Sequence, residues 1–245
     1  KLNDVYTAKK EAILELADYF APFFASIYKN APKERYVDFN QGVDARILSK
    51  SPEKVKRLAE IPIRPLRVAF DDWRLRETYE KAIRLAAEYG IKNMSNYLLY
   101  NYEDEPVDLY RRLKLNVVLC EELGVSIYSF PMKYHPIDDP KYFRNRFYTG
   151  IYWNRKFIRA IQAVLNATKG KIGRGKSFFN KAFGRDEAEF EKLLYMPEAM
   201  IVYRLYFEKN GIVDEWWKAF TALSEEKRKI IDPIIHSNNF INIEA

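Results

Sequence analysis

Apolar residues follow two alternating rhythms through the first half of the chain. Short β-favouring runs occur at YVDF (residues 36–39), PLRVAF (65–70), IKNMSNYLLY (91–100) and VSIYSF (125–130). Between them the apolar positions recur at helical spacing. SPEKVKRLAEI has Ser51 as N-cap and Pro52 at the first helical position; ETYEKAIRLAAEYG is stopped by Gly90. PVDLYRRLKLNVVLCEELG opens on Glu105 and Pro106 and is stopped by Gly124. Strand and helix repeat roughly every 30 residues, the spacing of βαβ units with right-handed crossovers. An amphipathic helix over Thr7–Lys29 precedes them, with Pro22 threatening a kink. Beyond Tyr148 the alternation ends and only helical patterns follow. The pattern predicts an α/β fold: a partial, TIM-like (β/α) barrel of parallel strands over residues 1–148, then an α-helical region over 149–245.

Composition narrows this picture only a little. With 245 residues, 48% hydrophobic and 16% aromatic, the chain has ample material for a packed core. Its apolar runs are far too short for a membrane span and its start has no signal-peptide core, so a soluble, cytoplasmic protein with no membrane partner is expected. The formal charge of +7 leaves anionic partners open. A single cysteine, Cys120, excludes an intrachain disulfide and any metal site built from several thiolates of this chain. On its helical pattern, Cys120 reads as a small buried hydrophobe. The two histidines, His135 and His236, are too far apart to form a motif, and no residue of the chain is assigned to a metal.

One stretch matches a phosphate-binding motif letter for letter. GKIGRGKS (170–177) satisfies G-x-x-x-x-G-K-[ST], in which backbone N–H groups wrap phosphates and the lysine, here Lys176, reaches them. That loop must follow a strand, yet Phe157, Ile158, Ile161, Val164 and Leu165 just upstream lie on one helical face. The motif therefore reads as a glycine-rich turn between helices. Lys169, Lys171, Arg174, Lys176, Lys181 and Arg185 crowd residues 169–185 without an acid among them, a possible contact for the phosphates of a nucleic acid.

Parallel α/β proteins bind ligands at the C-terminal ends of their strands. Here those ends carry Asn40, Gln41, Asp44 and Arg46; Asp71 and Asp72; Asn96, Asn101 and Glu105; and Met132, Lys133, Tyr134 and His135. The amides, carboxylate and guanidinium of FNQGVDAR can hydrogen-bond a polar ligand such as a ribose and amino-acid moiety. Asp72 and Glu105 have an alternative role as caps of the helices that follow. No catalytic residue is assigned.

In their order and spacing, VDFNQGVDARIL, PLRVAFDD, NYLLYNYEDEPVDLYRRL and YSFPMKYHP resemble the later βα units of radical S-adenosylmethionine enzymes, over roughly residues 1–140. The downstream MKYHPIDD and NATKGKIGRGKSFF resemble a C-terminal extension of that family. The resemblance implies S-adenosylmethionine and a [4Fe–4S] cluster at the mouth of a partial barrel, the cluster reducing the sulfonium to release a 5′-deoxyadenosyl radical. It implies Asn40, Gln41, Asp71, Asn96, Asn101 and Glu105 as cofactor-lining positions; Asp44 and Arg46 join them by their place after the first strand, and Tyr134, His135, Lys171, Arg174 and Lys176 are candidate contacts to substrate or phosphate. The family's CxxxCxxC loop is absent, and the resemblance leads to the expectation of an upstream segment that carries it. A nucleic-acid-binding or RNA-modifying module and a cluster-less ligand-binding or scaffold protein are the competing readings.

Overall fold

The structure, a computed structural model, describes residues 35–141, 147–173 and 175–238. The expected helix at residues 7–29 and Arg174 lie outside the described residues. The fold is mixed α/β, and no helix among the described residues is long and apolar enough to cross a membrane.

YVDF does not form a regular strand. The Gly42 N–H donates to Phe39 O at 2.8 Å and closes a turn through Asn40 and Gln41. Gly42 has φ of 76°, a left-handed value that glycine adopts without strain. Pairing with the next strand therefore survives as two isolated parallel bridges, Val37 to Ile63 and Val43 to Val68. Helix α1 (Ala45–Leu48) follows directly, and α2 (Pro52–Ala59) starts on its proline and buries Val55 and Leu58.

Strand β1 (Leu66–Arg67) leads through a 3₁₀ turn (Trp73–Leu75) into α3 (Arg76–Glu88), and β2 (Asn93–Tyr100) into α4 (Pro106–Leu123). Gly124, with φ of 62°, ends α4 before β3 (Ser126–Lys133). The strands are parallel in the order β1-β2-β3, with Asn96 opposite Ser129. This sheet is open; the described residues do not close it into a barrel, for which about eight strands are usual.

Alternation along the strands gives the sheet two unlike faces. On one, α3 and α4 are tied to the strands by a buried polar chain. Asn96 Nδ2 donates to the Tyr79 hydroxyl (2.7 Å), which donates to Asn116 Oδ1 (2.8 Å), while Asn116 Nδ2 donates to Ser129 Oγ (2.9 Å). Burial pushes the Tyr79 hydroxyl well above its ordinary pKa and keeps it a neutral donor. On the other face lie Arg67, Ser95, Tyr97, Tyr128 and Phe130. Arg67 grips Asp38 through two 2.8 Å bonds, donates to Ser95 Oγ and stands over the rings of Tyr97 and Phe130.

The outer edge of β3 is finished in three ways. Even-numbered N–H groups of β3 turn toward β2, as Ser126 and Tyr134 do in donating to Lys92 O and Tyr100 O. Odd positions face outward: the Ile127 N–H donates to Cys120 Sγ at 3.2 Å, Ser129 pairs antiparallel with Ile172, and Pro131 has no N–H to satisfy. Cys120 is buried, as its helical pattern led us to expect, with an added role as acceptor.

From Arg155 on the described residues are mainly helical: α5 (Arg155–Ala167), α6 (Lys176–Phe183), α7 (Glu187–Tyr195), α8 (Glu198–Val202), α9 (Arg204–Lys209), α10 (Ile212–Thr221) and α11 (Glu225–Ser237). It docks on α4. Tyr110 packs against Phe179 and Phe190 and donates its hydroxyl to Gly184 O, while Arg111 holds Glu187 in a bidentate pair at 2.8 and 2.9 Å.

Candidate functional site

Polar backbone groups at the ends of β1 and β2 are drawn together by one side chain. Arg112, on α4, is fully buried; its Nη1 donates to the carbonyls of Phe70, Asp71 and Leu99, Nε to Asp108 O, and Nη2 to Asp104 Oδ2 at 3.0 Å. A guanidinium can do this because its planar fork points donors in several fixed directions at once. Asp71 Oδ1 accepts from the Leu99 N–H (2.9 Å), which adds a second tie between the same two strand ends. Burial raises the Asp104 carboxyl above its usual range, opposed by the Tyr102 N–H and by Arg112.

Asn101 performs the corresponding task between β2 and β3. It is buried at φ of 70°, a left-handed conformation that asparagine tolerates. Its Nδ2 donates to Tyr134 O and Tyr148 O, and its Oδ1 accepts from the Gly150 N–H at 2.9 Å. Gly150 lies so close that a Cβ there would stand 2.2 Å from Tyr102 O.

Two clefts open on this scaffold and share Leu99 as a common wall. The first, about 600 Å³, is lined by the carboxylates of Asp71, Asp72, Glu103, Asp104, Glu105 and Asp108, and by Arg74 and Arg111. Trp73, Tyr102 and Tyr152 supply ring surfaces to it. Arg74 is paired with Asp72, which its guanidinium holds below the usual carboxylate range, and Arg111 is drawn to Glu187 and Asp108. Negative charge therefore dominates this cleft on a chain whose formal charge is +7. The second cleft, about 610 Å³, is bounded by Lys133, Tyr134, His135 and the Pro136–Pro140 segment. Tyr134 packs between Tyr102 and Tyr148, with ring centroids 4.6 and 5.4 Å away, and forms the aromatic partition.

Of the residues singled out in the sequence, Asp71, Asp72 and Glu105 line the acidic cleft, Lys133, Tyr134 and His135 line its neighbour, and Asn101 braces both from beneath. Glu105 also opens α4, its N–H donating to Asp108 Oδ2. The others lie elsewhere. Asp44 and Arg46 pair with each other at the start of α1, and Asn40 accepts a 3.4 Å bond from the Tyr97 hydroxyl beside an exposed Gln41. Asn96 lies on the opposite face of the sheet beneath α3, where its Oδ1 is buried without a partner.

Comparison with protein-family models, with curated proteins and with solved structures finds no match.

The basic stretch is built differently from a phosphate loop. The Gly170 N–H turns back to Leu165 O and ends α5, Ile172 joins the edge of β3, and α6 begins at Lys176 after Gly175. Lys171 Nζ stands 3.7 Å from the centroid of the Tyr128 ring, beside the middle of β3 and not beside its C-terminal end. The expected turn between two helices is thus also a sheet-edge element. Arg112, the centre of the strand-end scaffold, went unnoticed in the sequence, although it falls in register with Leu109, Leu113, Asn116 and Val117 on the buried stripe of its helix. A polar residue on an apolar stripe is the feature that could have found it.

Proposed function

We propose that the acidic cleft binds a cationic nucleoside-type ligand, S-adenosylmethionine, in a βα-repeat protein of the radical S-adenosylmethionine type with partial-barrel ancestry. One observation carries this reading: six carboxylates and three aromatic side chains converge where β1 and β2 end. Carboxylates favour the sulfonium and ammonium charges, and the faces of Trp73, Tyr102 and Tyr152 attract the same cations and offer surfaces for an adenine ring. The sequential parallel order of the strands agrees with the ancestry.

A [4Fe–4S] cluster does not fit the residues of this chain. Its one thiol is buried and accepts a hydrogen bond from β3, and among the described residues no group of three or more histidine, cysteine or acidic side chains is arranged to hold a metal. What the chain's own residues supply is a negatively charged, aromatic-lined receptacle held rigid by Arg112 and Asn101.

Calorimetric titration separates this reading from a generic pocket. S-Adenosylmethionine binds at least about tenfold more tightly than the uncharged thioether S-adenosylhomocysteine, a ratio equal to about 1.4 kcal/mol. The Glu103→Gln/Glu105→Gln double variant, checked for folding by circular dichroism, loses that preference. Equal binding of the two compounds, or no saturable binding of either at millimolar concentration, refutes the proposal.

A further inference from the structure

A further cavity, about 380 Å³, lies within the helical region between α5, the α7–α8 junction, α10 and α11. Its walls are mainly apolar, with Tyr195, Trp216 and Phe220 as the aromatic side chains. Trp216 and Phe220 stack at 5.6 Å, and Tyr195 stands 5.2 Å from Phe220. Into this surface comes Lys156, 3% exposed, whose Nζ donates one 2.5 Å bond to Met196 O. An ammonium has three donors and a full charge, so a single neutral acceptor leaves it poorly compensated.

The carboxylate of Glu198, which acts on Lys156 across the cavity wall, does not make good the deficit. Glu198 lines the cavity, but Arg159 holds it through two bonds of 2.9 and 2.7 Å. The three side chains together leave one net positive charge, carried by Lys156, at the wall of a mainly apolar cavity. On α11, Asp232 lies 3.7 Å from Arg228, and His236 presses its ring against Phe157 and Tyr195 with Nε2 buried and unpartnered.

We propose that this cavity is a binding site for a small aromatic carboxylate, its ring held among Tyr195, Trp216 and Phe220 and its carboxylate accepting hydrogen bonds from Lys156 Nζ. The volume is within the range of small-molecule pockets, and a single ring with a short acid side chain matches its apolar walls and one cationic group. A bound anion replaces the water that burial has removed from the ammonium. Burial also pulls Lys156 down to about 8, opposed by Glu198 and reinforced by Arg159. A carboxylate ligand restores the proton, so binding becomes coupled to proton uptake above that pH. The other ionisable groups turned toward this region are Tyr195 on α7 and Arg228, Asp232 and His236 on α11.

The test uses the full chain with phenylacetate and its neutral isostere phenylacetamide as probes, read by calorimetry. At pH 7 the acid binds at least about tenfold more tightly than the amide. Its affinity falls as pH rises past about 8, whereas that of the amide does not. Lys156→Met erases the preference for the acid and still binds the amide, and Trp216→Ala weakens both probes. The proposal is overturned if neither probe binds at millimolar concentration, if the preference survives Lys156→Met, or if Trp216→Ala changes nothing.

Discussion

Arg112 in the βα body and Lys156 in the helical region are both cations taken out of water, 0% and 3% exposed. Arg112 meets four carbonyls and a carboxylate, its donors all directed into the protein. Lys156 meets one carbonyl and borders a cavity. The first pattern is that of a cation used as a structural clamp, since its solvation has been rebuilt by the fold. The second leaves part of that task undone on the side where there is room for a ligand.

The contrast is broken most severely at Arg112. Arg112→Met leaves Asp104 buried without its counter-ion and several strand-end carbonyls without a donor, and costs about 3–5 kcal/mol in urea unfolding. Arg112→Lys, which keeps the charge but not the fork, recovers only part of this loss; full recovery would show that charge alone suffices. Gly150→Ala sharpens the same point one tie further along, because its Cβ would press on Tyr102 O. That substitution costs about 2 kcal/mol and perturbs the Asn101 bonds, seen as shifts of the Tyr134 and Tyr148 resonances.

Lys156→Met moves stability the other way. Without ligand, it raises stability by about 1–2 kcal/mol near pH 6, because the cost of burying the charge exceeds the value of one hydrogen bond. Sign follows from proton counts: with the folded-state pKa lowered to about 8 from 10.5, the unfolded chain holds more protons between those values. Wild-type stability therefore gains from this residue as pH rises through that window, and the advantage of the variant shrinks. A gap independent of pH up to 10.5 would place the lysine in an ordinary solvated environment.

Much of the scaffold was legible in the letters. The caps at Pro52, Glu105 and Gly124 and the spacing of apolar residues marked α2, α4 and β3, because those elements obey local rules. Pro131 made the fourth apolar run appear to stop at Phe130, whereas β3 continues to Lys133 because that proline faces an edge where no N–H is required. The first run failed for a local reason as well: the turn closed by Gly42 interrupts its pairing. At the strand ends Asp71, Glu105, Tyr134 and His135 were visible as polar letters following strands, but Asn96 carries the same letters and lies beneath α3. Arg112 and Lys156 were hidden because a charged letter reads as exposed until a tertiary contact buries it.

The finished edge of β3 gives the sheet a direction. Cys120, Ile172 and Pro131 between them leave no outward N–H available at Ile127, Ser129 or Pro131, so an additional strand finds no donors there. On the opposite side, pairing has thinned to the Val37 and Val43 bridges, where the Val37 and Val43 N–H groups donate to Pro62 O and Arg67 O. Within the described residues the last strand is thus closed to a further strand at these three positions, while regular pairing at the other side of the sheet ends with β1.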